Sequence, residues 1–397
     1  MKRWIGMSVM VMFCIAFSAC GGGSRRTGAD GERHDTLQMK YTRLLTIVAH
    51  DGCREVRVAN PWKPGQTLHT YLLVPRGAGS DDRERWRKRW PEATMVKVPL
   101  RKAVSFTTVH ASLVVELGHA DVVSGLADTR YVKNDVLRLR LKKGQTADVG
   151  DGMNPDVERI VDLSPDVALV SPFENSGGYG KLDKTGIALL ECADYMEPTP
   201  LGRAEWIRLY GMLVGEESKA DSLFRQVETQ YNDLAQWARR QKECPTVMMD
   251  KMTGTTWYVP GGRSTLGQML KDAHMRYVYA DDTTSGSVPL SVEKVIDLAA
   301  HADLWLLRYS GPELDYAALG KENGAYRQLP PYQHGQCYAC STDRSLFYEQ
   351  TPFHPERLLA DFVLIAHPSL AKDCPARMRP YFGSRMEPHY FKPLARP

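Results

Sequence analysis

"VERIVDLSPDVALV" (Val157–Val170) and "VEKVIDLAAHADLWLL" (Val292–Leu307) are two similar phrases, about 135 residues apart in a chain of 397. Each begins with apolar residues at helical spacing, passes a polar turn and ends in an apolar run typical of a buried strand. Two copies are too few for a solenoid of stacked repeats. The pattern therefore predicts two similar lobes, each with a helix that leads into a buried sheet.

On either side of these phrases the chain alternates short strands and helices. "VSFTT" predicts a strand, "HASLVVELG" a helix that Gly118 ends, and "DVVSGLA" another strand. Asn154 and Pro155 have the residue types of an N-cap and a first helical position. A closing helix is predicted from His354-Pro355 to about Ala366. This alternation predicts mostly parallel sheets, hence an α/β fold.

The strand signal stops between the two lobes. Leu201-Gly202 leads a first helix, and Gly215 marks its end. Apolar residues then recur every three or four positions, which predicts one helix over Glu216–Lys242, about 40 Å long. A helix of this length can run from one lobe to the other, and a single rigid connector limits how far the lobes can hinge.

The region before the first lobe has a different pattern. "LLTIVAH", "EVRVANPW" and "TLHTYLLVP" read as strands between turn-forming Asp-Gly and Pro-Gly pairs. The highly charged stretch Gly77–Trp90 is interpreted as a solvated loop or a short helix. The predicted division is a signal peptide at 1–20, a flexible tether at 21–40, a strand-rich extension at 41–100, an N-terminal lobe at 101–202, connecting helices at 203–242 and a C-terminal lobe at 243–397.

The N-terminus has the features of an export signal. Lys2 and Arg3 precede a short apolar stretch, Trp4–Phe17, which is too short to span a bilayer comfortably. The ending Phe-Ser-Ala-Cys resembles a bacterial lipobox, with Phe17 where Leu is usual. Cys20 is therefore predicted to carry lipid; the alternative is a secreted protein cleaved nearby.

Composition and cysteine usage narrow the class. A net charge of +4, with 43% hydrophobic and 25% charged residues, indicates a soluble globular protein, and no basic stripe interleaved with aromatics suggests nucleic acid. Six cysteines follow the predicted lipid site, and their pairing is open: Cys53, Cys192, Cys244, Cys337, Cys340 and Cys374. Cys337-Tyr-Ala-Cys340 lacks a second such pair and is interpreted as core thiols or a local disulfide rather than a redox or zinc site.

From about Lys97 to Leu370 this organisation resembles the helix-linked substrate-binding lipoproteins of ABC transporters, the class III, type 2 periplasmic binding proteins of the iron-siderophore and cobalamin group. The similarity rests on the order and spacing of "GMNPDVERIVDLSPDVALV", "PLGRAEWIRLYGMLVGEESKADSLF", "PLSVEKVIDLAAHADLWLL" and "HPERLLADFVLIAHPSL". The resemblance implies two Rossmann-like lobes joined by one long helix, with the ligand in the cleft between them. It also implies a monomer that is lipid-anchored on the periplasmic face of an envelope membrane and delivers its ligand to a permease and its ATPase.

Two glutamates occupy the family's docking positions. In that family one Glu on each lobe pairs with arginines of the permease, and the matching positions here are Glu158 and Glu293. Two carboxylates on separate rigid lobes would fix the orientation of the docked protein. The alternative is structural, because the helix dipole alone favours Glu in a first helical turn.

Candidate ligand contacts follow the predicted strands, where the family's cleft lies. They combine aromatic rings for a macrocycle or catechol with arginines for an anionic chelate: Arg130, Tyr131, Phe173, Tyr179, Trp257, Tyr258, Arg263, Arg308 and Tyr309. Two aromatic positions of the cobalamin-binding members are non-aromatic here, at Gly150-Asp151-Gly152 and Val288-Pro289. A ferric siderophore therefore leads, followed by haem, with Tyr131, Tyr258 or His110 as possible iron ligands, and by corrinoids.

An enzyme or a direct metal site is not predicted. "FENSGGYG" and "YVPGGRST" are rich in glycine but match no nucleophile elbow, phosphate loop or dinucleotide fingerprint. His119, Asp121 and Asp128 are close in sequence, yet His-Ala-Asp recurs at 301–303 and is interpreted as part of the repeated lobe plan. No cofactor is expected. A surface lipoprotein that captures its ligand without a permease stays open as an alternative.

Overall fold

The computed structural model describes residues 35–174, 178–382 and 386–395. The predicted signal peptide, Cys20 and most of the predicted tether lie outside the described residues. Among the helices of the described part, none is both long and apolar enough to cross a membrane.

The N-terminal extension is a five-stranded sheet with one covering helix. Its elements are β1 (Asp35–Leu37), β2 (Leu45–His50), β3 (Cys53–Ala59), β4 (Thr67–Pro75), α1 (Ser80–Arg89) and β5 (Thr94–Val98). The strands lie in chain order, antiparallel from β1 to β4, and β5 is parallel to β4 because α1 crosses between them. The charged stretch is thus a helix, and it places Trp86 in a small core against Leu72 and Val74.

The extension is part of the N-terminal lobe rather than a separate unit. Ile47, Val56 and Leu73 on its inner face share one apolar core with the lobe and with Trp206. The buried carboxylate of Glu205 accepts the backbone N–H groups of residues 40, 41 and 42, at 2.8, 2.7 and 2.9 Å. Because β1 already begins at residue 35, the tether predicted to reach residue 40 is too long at this end.

The N-terminal lobe contains a five-stranded parallel sheet in the order β12-β11-β6-β7-β8. Its elements are β6 (Ala103–Ser105), α2 (Thr108–Glu116), β7 (Val123–Leu126), α3 (Asp135–Lys142), β8 (Ala147–Asp148), β9 (Gly150–Asp151), β10 (Asn154–Pro155), α4 (Val157–Leu163), β11 (Val167–Val170), β12 (Leu189–Glu191) and α5 (Pro200–Ala204). The predicted N-cap is wrong: Asn154 and Pro155 pair with β9. Asp156 caps α4 instead, because its side chain accepts the N–H of Arg159.

Two helices connect the lobes, α6 (Ile207–Val214) and α7 (Glu217–Ala238). Gly215 ends α6 at φ 78°, as predicted. The long helix has 22 residues, about 33 Å, and is shorter than predicted because Arg239 and Arg240 are exposed and offer no buried face. Its Ala220 lies in the N-terminal core, whereas the later buried positions, from Phe224 onward, lie in the C-terminal core. The connector is therefore embedded in both lobes.

The C-terminal lobe repeats the plan. Its elements are β13 (Thr246–Met249), β14 (Met252–Thr253), β15 (Thr256–Pro260), α8 (Thr265–Asp272), β16 (Arg276–Tyr277), β17 (Ser287–Leu290), α9 (Val292–Leu298), β18 (Leu304–Tyr309), α10 (Tyr316–Glu322), α11 (Pro330–His334), β19 (Cys337–Ser341), α12 (Phe347–Gln350), α13 (Pro355–Ala366), α14 (Leu370–Asp373) and β20 (Lys392–Pro393). The main sheet, β16-β13-β18-β19-β20, is parallel except for β20, and β14-β15-β17 form a small antiparallel sheet. The repeated phrases give α4 and β11 in one lobe and α9 and β18 in the other. This architecture confirms the predicted α/β fold.

Cys337 and Cys340 are free buried thiols on opposite faces of β19. Cys337 packs in the core beneath Trp257 and Trp305, and Cys340 packs in the core of α13. Burial raises the pKa of each thiol to about 12. Of the two interpretations, core thiols is confirmed and the local disulfide is not.

A buried histidine joins the lobes a second time. His354 precedes α13, and its side chain is 3% exposed. Its Nδ1 lies 2.9 Å from Glu356 Oε1, and its Nε2 lies 2.8 Å from Oε2 of Glu116 at the end of α2. Burial alone would lower the pKa of His354, but the two carboxylates raise it to about 9. The imidazolium is therefore the form that bridges the lobes at neutral pH.

We expect the folded chain to lose stability as the pH rises from 6.5 to 9. Because the folded-state pKa of His354 lies above its ordinary value of 6.5, its contribution is fully present below pH 6.5 and is lost as the pH passes through about 9. The loss is on the order of 2–3 kcal/mol. It should appear as a fall in Tm over this window that is absent in His354→Gln; an equal fall in both proteins would contradict it.

Candidate ligand-binding site

The carboxyl ends of the two parallel sheets meet at one point. Lys133 follows β7, and its Nζ lies 3.6 Å from Oδ1 of Asp343, which follows β19. The backbone N–H of Lys133 also donates to Oε1 of Glu349, at 2.8 Å. Burial raises the pKa of Glu349, even though this N–H bond opposes the change. In open α/β sheets, ligands bind outside the carboxyl ends of the strands, so these facing edges are the candidate site.

On the C-terminal lobe a cavity of about 460 Å³ brings three predicted residues together. Tyr258, Arg308 and Tyr309 line it with Asp250 and Tyr348. Tyr258 is 47% exposed and Tyr348 is 54% exposed, so both rings are open to a ligand. Large exposed aromatic side chains at a concave site are suited to contact with a flat or macrocyclic group.

The charge of Arg308 is already balanced within this cavity. Its Nε lies 2.8 Å from Oδ1 of Asp250, and its Nη2 lies 2.5 Å from Oδ2. Burial opposes the charged form of Arg308, but Asp250 raises the guanidinium pKa above its usual value. Asp250 lies at φ 60°, a backbone region that Asp tolerates better than most residues. The pair therefore shapes the cavity and adds little net positive charge to it.

One predicted contact on this lobe, Trp257, is corrected, and Arg263 stays a prediction. Trp257 is fully buried, its Nε1 donates to the carbonyl of Met249 at 3.1 Å, and its ring packs against Trp305. Alternation along β15 puts Tyr258 outside and Trp257 inside, so Trp257 is a core residue. Arg263 is exposed in the loop before α8 and does not line the cavity with Tyr258.

On the N-terminal lobe, Phe173 and Tyr179 line a cavity of about 640 Å³ with Phe106, Met153 and Glu158. Phe173 is 44% exposed. The hydroxyl of Tyr179 donates to Oε1 of Glu191 at 3.1 Å. Burial raises the pKa of this phenol, and the nearby carboxylate raises it further. Phe173 and Tyr179 therefore lie together in one cavity, which is separate from the cavity that Tyr258 and Tyr309 line on the other lobe.

Arg130 and Tyr131 lie after β7, in the 3₁₀ helix Thr129–Tyr131. The Arg130 guanidinium carbon is 4.7 Å from the centroid of the Tyr131 ring, and Tyr131 is 58% exposed. Nη2 of Arg130 is 3.5 Å from Asp128 Oδ1 and 3.3 Å from Asp151 Oδ2. This stacked pair lies close to Lys133, where the sheets face each other.

Sequence reasoning missed three exposed side chains at these edges. Tyr195 follows β12, Tyr348 lies in α12 after β19, and Met153 lies between β9 and β10, with 37%, 54% and 77% of their surfaces exposed. Phe173 was predicted because it follows a predicted parallel strand. The same criterion, applied to every parallel strand, would also have predicted Tyr195 and Tyr348.

His110, one possible haem ligand, is corrected. It is 2% exposed, its Nε2 lies 2.9 Å from Oδ1 of Asp194, and its ring stacks on Tyr210. Asp194 also accepts a 2.9 Å hydrogen bond from Arg203. His110 is a core residue, and only Tyr131 and Tyr258 of the possible iron ligands are exposed. Within the described residues, no group of three or more His, Cys, Asp or Glu side chains is placed to hold a metal ion.

Both predicted docking glutamates are exposed in first helical turns, Glu158 in α4 and Glu293 in α9. Neither forms an ion pair with another described residue. The caps of the two helices are Asp156 and Ser291. A backbone N–H and the Ser291 hydroxyl lower the pKa of Glu293. The two helices that carry the repeated phrase therefore each present an exposed carboxylate at corresponding positions.

A family model described as periplasmic binding protein matches residues 104–343, which is more than half of the chain. The chain belongs to the periplasmic binding protein family. The match includes both repeated phrases and the connecting helix, which confirms the resemblance seen in the sequence. It begins after the five-stranded extension, so that sheet is an addition to the family's shared part.

Relatives and solved structures agree with this assignment. An uncharacterised lipoprotein of Methanocaldococcus jannaschii is 21% identical over 86% of this chain and 84% of its own length. Because that coverage exceeds the part after residue 103, the alignment includes some of the extension. YvrC of Bacillus subtilis, an uncharacterised ABC transporter substrate-binding lipoprotein, is 26% identical over 64% of this chain and 76% of its own length.

Two solved structures share the fold. CeuE of Helicobacter pylori with Ni(II) bound has a TM-score of 0.57 and 17% identity, covering 73% of this chain and 92% of its own. A periplasmic heme-binding protein of Pseudomonas aeruginosa has a TM-score of 0.54 and 20% identity, covering 68% and 94%. At these identities the likeness concerns the fold.

Proposed function

We propose that this periplasmic binding protein is the lipid-anchored binding component of an ABC importer and that it captures a metal chelate between its lobes. The facing sheet edges carry the proposal. They present Tyr131 and Phe173 on one lobe, and Tyr258 and Tyr348 on the other, as exposed rings. Periplasmic binding proteins with lipoprotein relatives work outside the cytoplasm, and the predicted lipid site at Cys20 fits that location.

A ferric siderophore remains the first ligand class. The C-terminal cavity is predominantly polar in its lining, with Asp250, Arg308 and Thr342 beside the tyrosines. Such a mixture matches a chelate that combines polar metal-binding groups with rings or short chains. Haem is the second candidate, because Tyr131 and Tyr258 expose phenols and one structural neighbour is a heme-binding protein. Cobalamin is the third candidate. Two positions that are aromatic in the cobalamin-binding members of the family are not aromatic here, at Gly150-Asp151-Gly152 and at Val288-Pro289.

The direct test is titration of the purified mature protein with ferric siderophores, haemin and cobalamin, following tryptophan fluorescence. Trp305 donates from Nε1 to the carbonyl of Asp250 at 2.7 Å, directly beneath the C-terminal cavity, so an occupied cavity should quench it. Quenching by ferric siderophores supports the proposal. Quenching by haemin or cobalamin alone would reverse the ranking of ligands, and turnover of any of them would overturn the binding function.

Phenylalanine variants distinguish ring contact from iron ligation. Tyr131→Phe and Tyr258→Phe keep the ring and remove the phenol oxygen. If the rings only stack on a siderophore, we expect less than a threefold loss of affinity from either variant. If one phenolate ligates iron, that variant alone should lose at least about tenfold, with a change in the visible absorption of the bound chelate.

A further inference from the structure

A basic groove runs along the edge strand β8. This β8 groove has a volume of about 750 Å³ and is bounded by α3, β8 and the side chain of Arg159 on α4. Five basic side chains line it against two carboxylates, and they are Arg130, Lys133, Arg138, Lys142 and Arg159. Its size is within the range of small-molecule sites.

Two of these five positive charges have no carboxylate partner among the described residues, and a third is paired only weakly. Arg138 lies 3.8 Å from Asp135, but the two side chains are 65% and 95% exposed, so solvent screens the pair. Lys142 and Arg159 form no ion pair with any other described residue. The carboxylate of Asp148 accepts from two neutral donors, the Thr129 hydroxyl at 2.7 Å and a backbone N–H at 2.9 Å. Arg130 and Lys133 lie beside carboxylates, so Lys142 and Arg159 are the positive charges of the groove that are left for a ligand.

The groove opens at the candidate ligand site. Among the described residues of the C-terminal lobe, only Asp343 lines it, and the 3.6 Å ion pair of Asp343 with Lys133 lies where the sheets face each other. Arg130 belongs to both places, because it lines the groove and stacks on the exposed ring of Tyr131. A ligand held between the lobes can thus extend charged groups past Arg130 toward Lys142 and Arg159.

We infer that the β8 groove holds the anionic arms of the captured chelate, and that the ligand carries two or more carboxylates. This inference rests on the proposed function and narrows its ligand class. Unpaired Lys and Arg side chains bind carboxylates through charge-assisted hydrogen bonds. Complementary charge in a groove also favours the correct ligand over cationic chelates of similar size.

The test compares two chelates of opposite charge. Ferric citrate is the polycarboxylate probe, and ferrioxamine B is the cationic hydroxamate probe. We expect the wild-type mature protein to bind ferric citrate, and the double variant Lys142→Gln/Arg159→Gln to bind it about tenfold more weakly. Both substituted side chains are exposed, so folding should be unaffected, which circular dichroism checks.

Lys143→Gln is the matched control. It removes the same charge one residue further along and lies outside the groove lining, so its affinity for ferric citrate should stay within about twofold of wild type. An equal loss in Lys143→Gln and Lys142→Gln would mean general electrostatic attraction and would overturn the inference. Binding of ferrioxamine B without binding of ferric citrate would overturn it while leaving the proposed function intact. Binding of neither chelate nor any other would remove both.

Discussion

Replacing Asp250 with asparagine is expected to lower the free energy of unfolding of the C-terminal lobe by roughly 3 kcal/mol. The substitution leaves the Arg308 guanidinium without its carboxylate, and breaking a buried pair from one side costs about 3–5 kcal/mol. The lower end applies because Arg308 keeps 21% of its side-chain surface in solvent and the amide carbonyl can still accept a hydrogen bond. Asparagine is chosen because it tolerates the positive φ of this position.

The neighbouring pair of Lys251 and Glu322 is the control for this measurement. Its Nζ–Oε2 distance is 2.6 Å; Lys251 is 18% exposed, close to the 21% of Arg308, but Glu322 is 39% exposed, against 10% for Asp250. We expect Glu322→Gln to cost less than about 1 kcal/mol, as exposed pairs do. Arg308→Met added to Asp250→Asn should restore part of the loss, because it removes the unpaired charge. Urea denaturation of the four proteins checks the series, and equal effects of Asp250→Asn and Glu322→Gln would disprove the argument.

The double variant Glu158→Gln/Glu293→Gln is expected to reduce ligand uptake by cells on the order of a hundredfold while ligand affinity of the purified protein stays unchanged. If the two carboxylates dock, each would form a charge-assisted contact with the permease, and they lie on separate lobes. Glu158 also lines the cavity of Phe173, so affinity must be measured beside uptake. The measurement is transport of radiolabelled chelate in a strain that carries only the variant gene.

Glu92→Gln/Glu243→Gln is the matched control, since both residues are exposed and the change in net charge is the same. It should transport like wild type. Normal uptake by the Glu158→Gln/Glu293→Gln protein would reject docking through these residues and favour capture at the surface without a permease. Loss of affinity in that protein would place Glu158 at the ligand instead.

The repeated phrases were enough to predict both lobes because their apolar runs are buried on both faces of a parallel sheet. Such strands read as continuous apolar segments, and β11 and β18 do so. The connecting helix could be predicted from its apolar stripe, but its end could not. Past Ala238, the side chains of Arg239 and Arg240 are exposed, and packing, which the sequence does not display, decides where the helix stops.

The site residues that were predicted wrongly have one cause in common: the sequence does not show whether a side chain points into the core or toward the ligand. Trp257 and Tyr258 are adjacent in one strand, and only the side of the sheet on which the core lies separates the buried ring from the exposed one. His110 is polar yet buried, and its Nε2 pairs with Asp194, 84 positions away, which also accepts a hydrogen bond from Arg203, 93 positions away from His110. Contacts between residues so far apart in the chain leave no local sequence pattern. Residue type at a strand end therefore predicted where the site lies better than it predicted which residues line the site.

The hydrogen bond between Lys40 and Glu205 joins residues that are made at different times. The two residues are 165 positions apart, so at ribosomal speeds the N-terminal segment is made roughly 8–30 s before its partner. During that interval Ile47 and Val56 can form a hairpin locally, but Trp206 has not yet been synthesised to cover them. During synthesis the apolar face of this hairpin is therefore exposed until Trp206 has been made. Its vulnerability to aggregation should be greatest while the nascent chain still ends before α6.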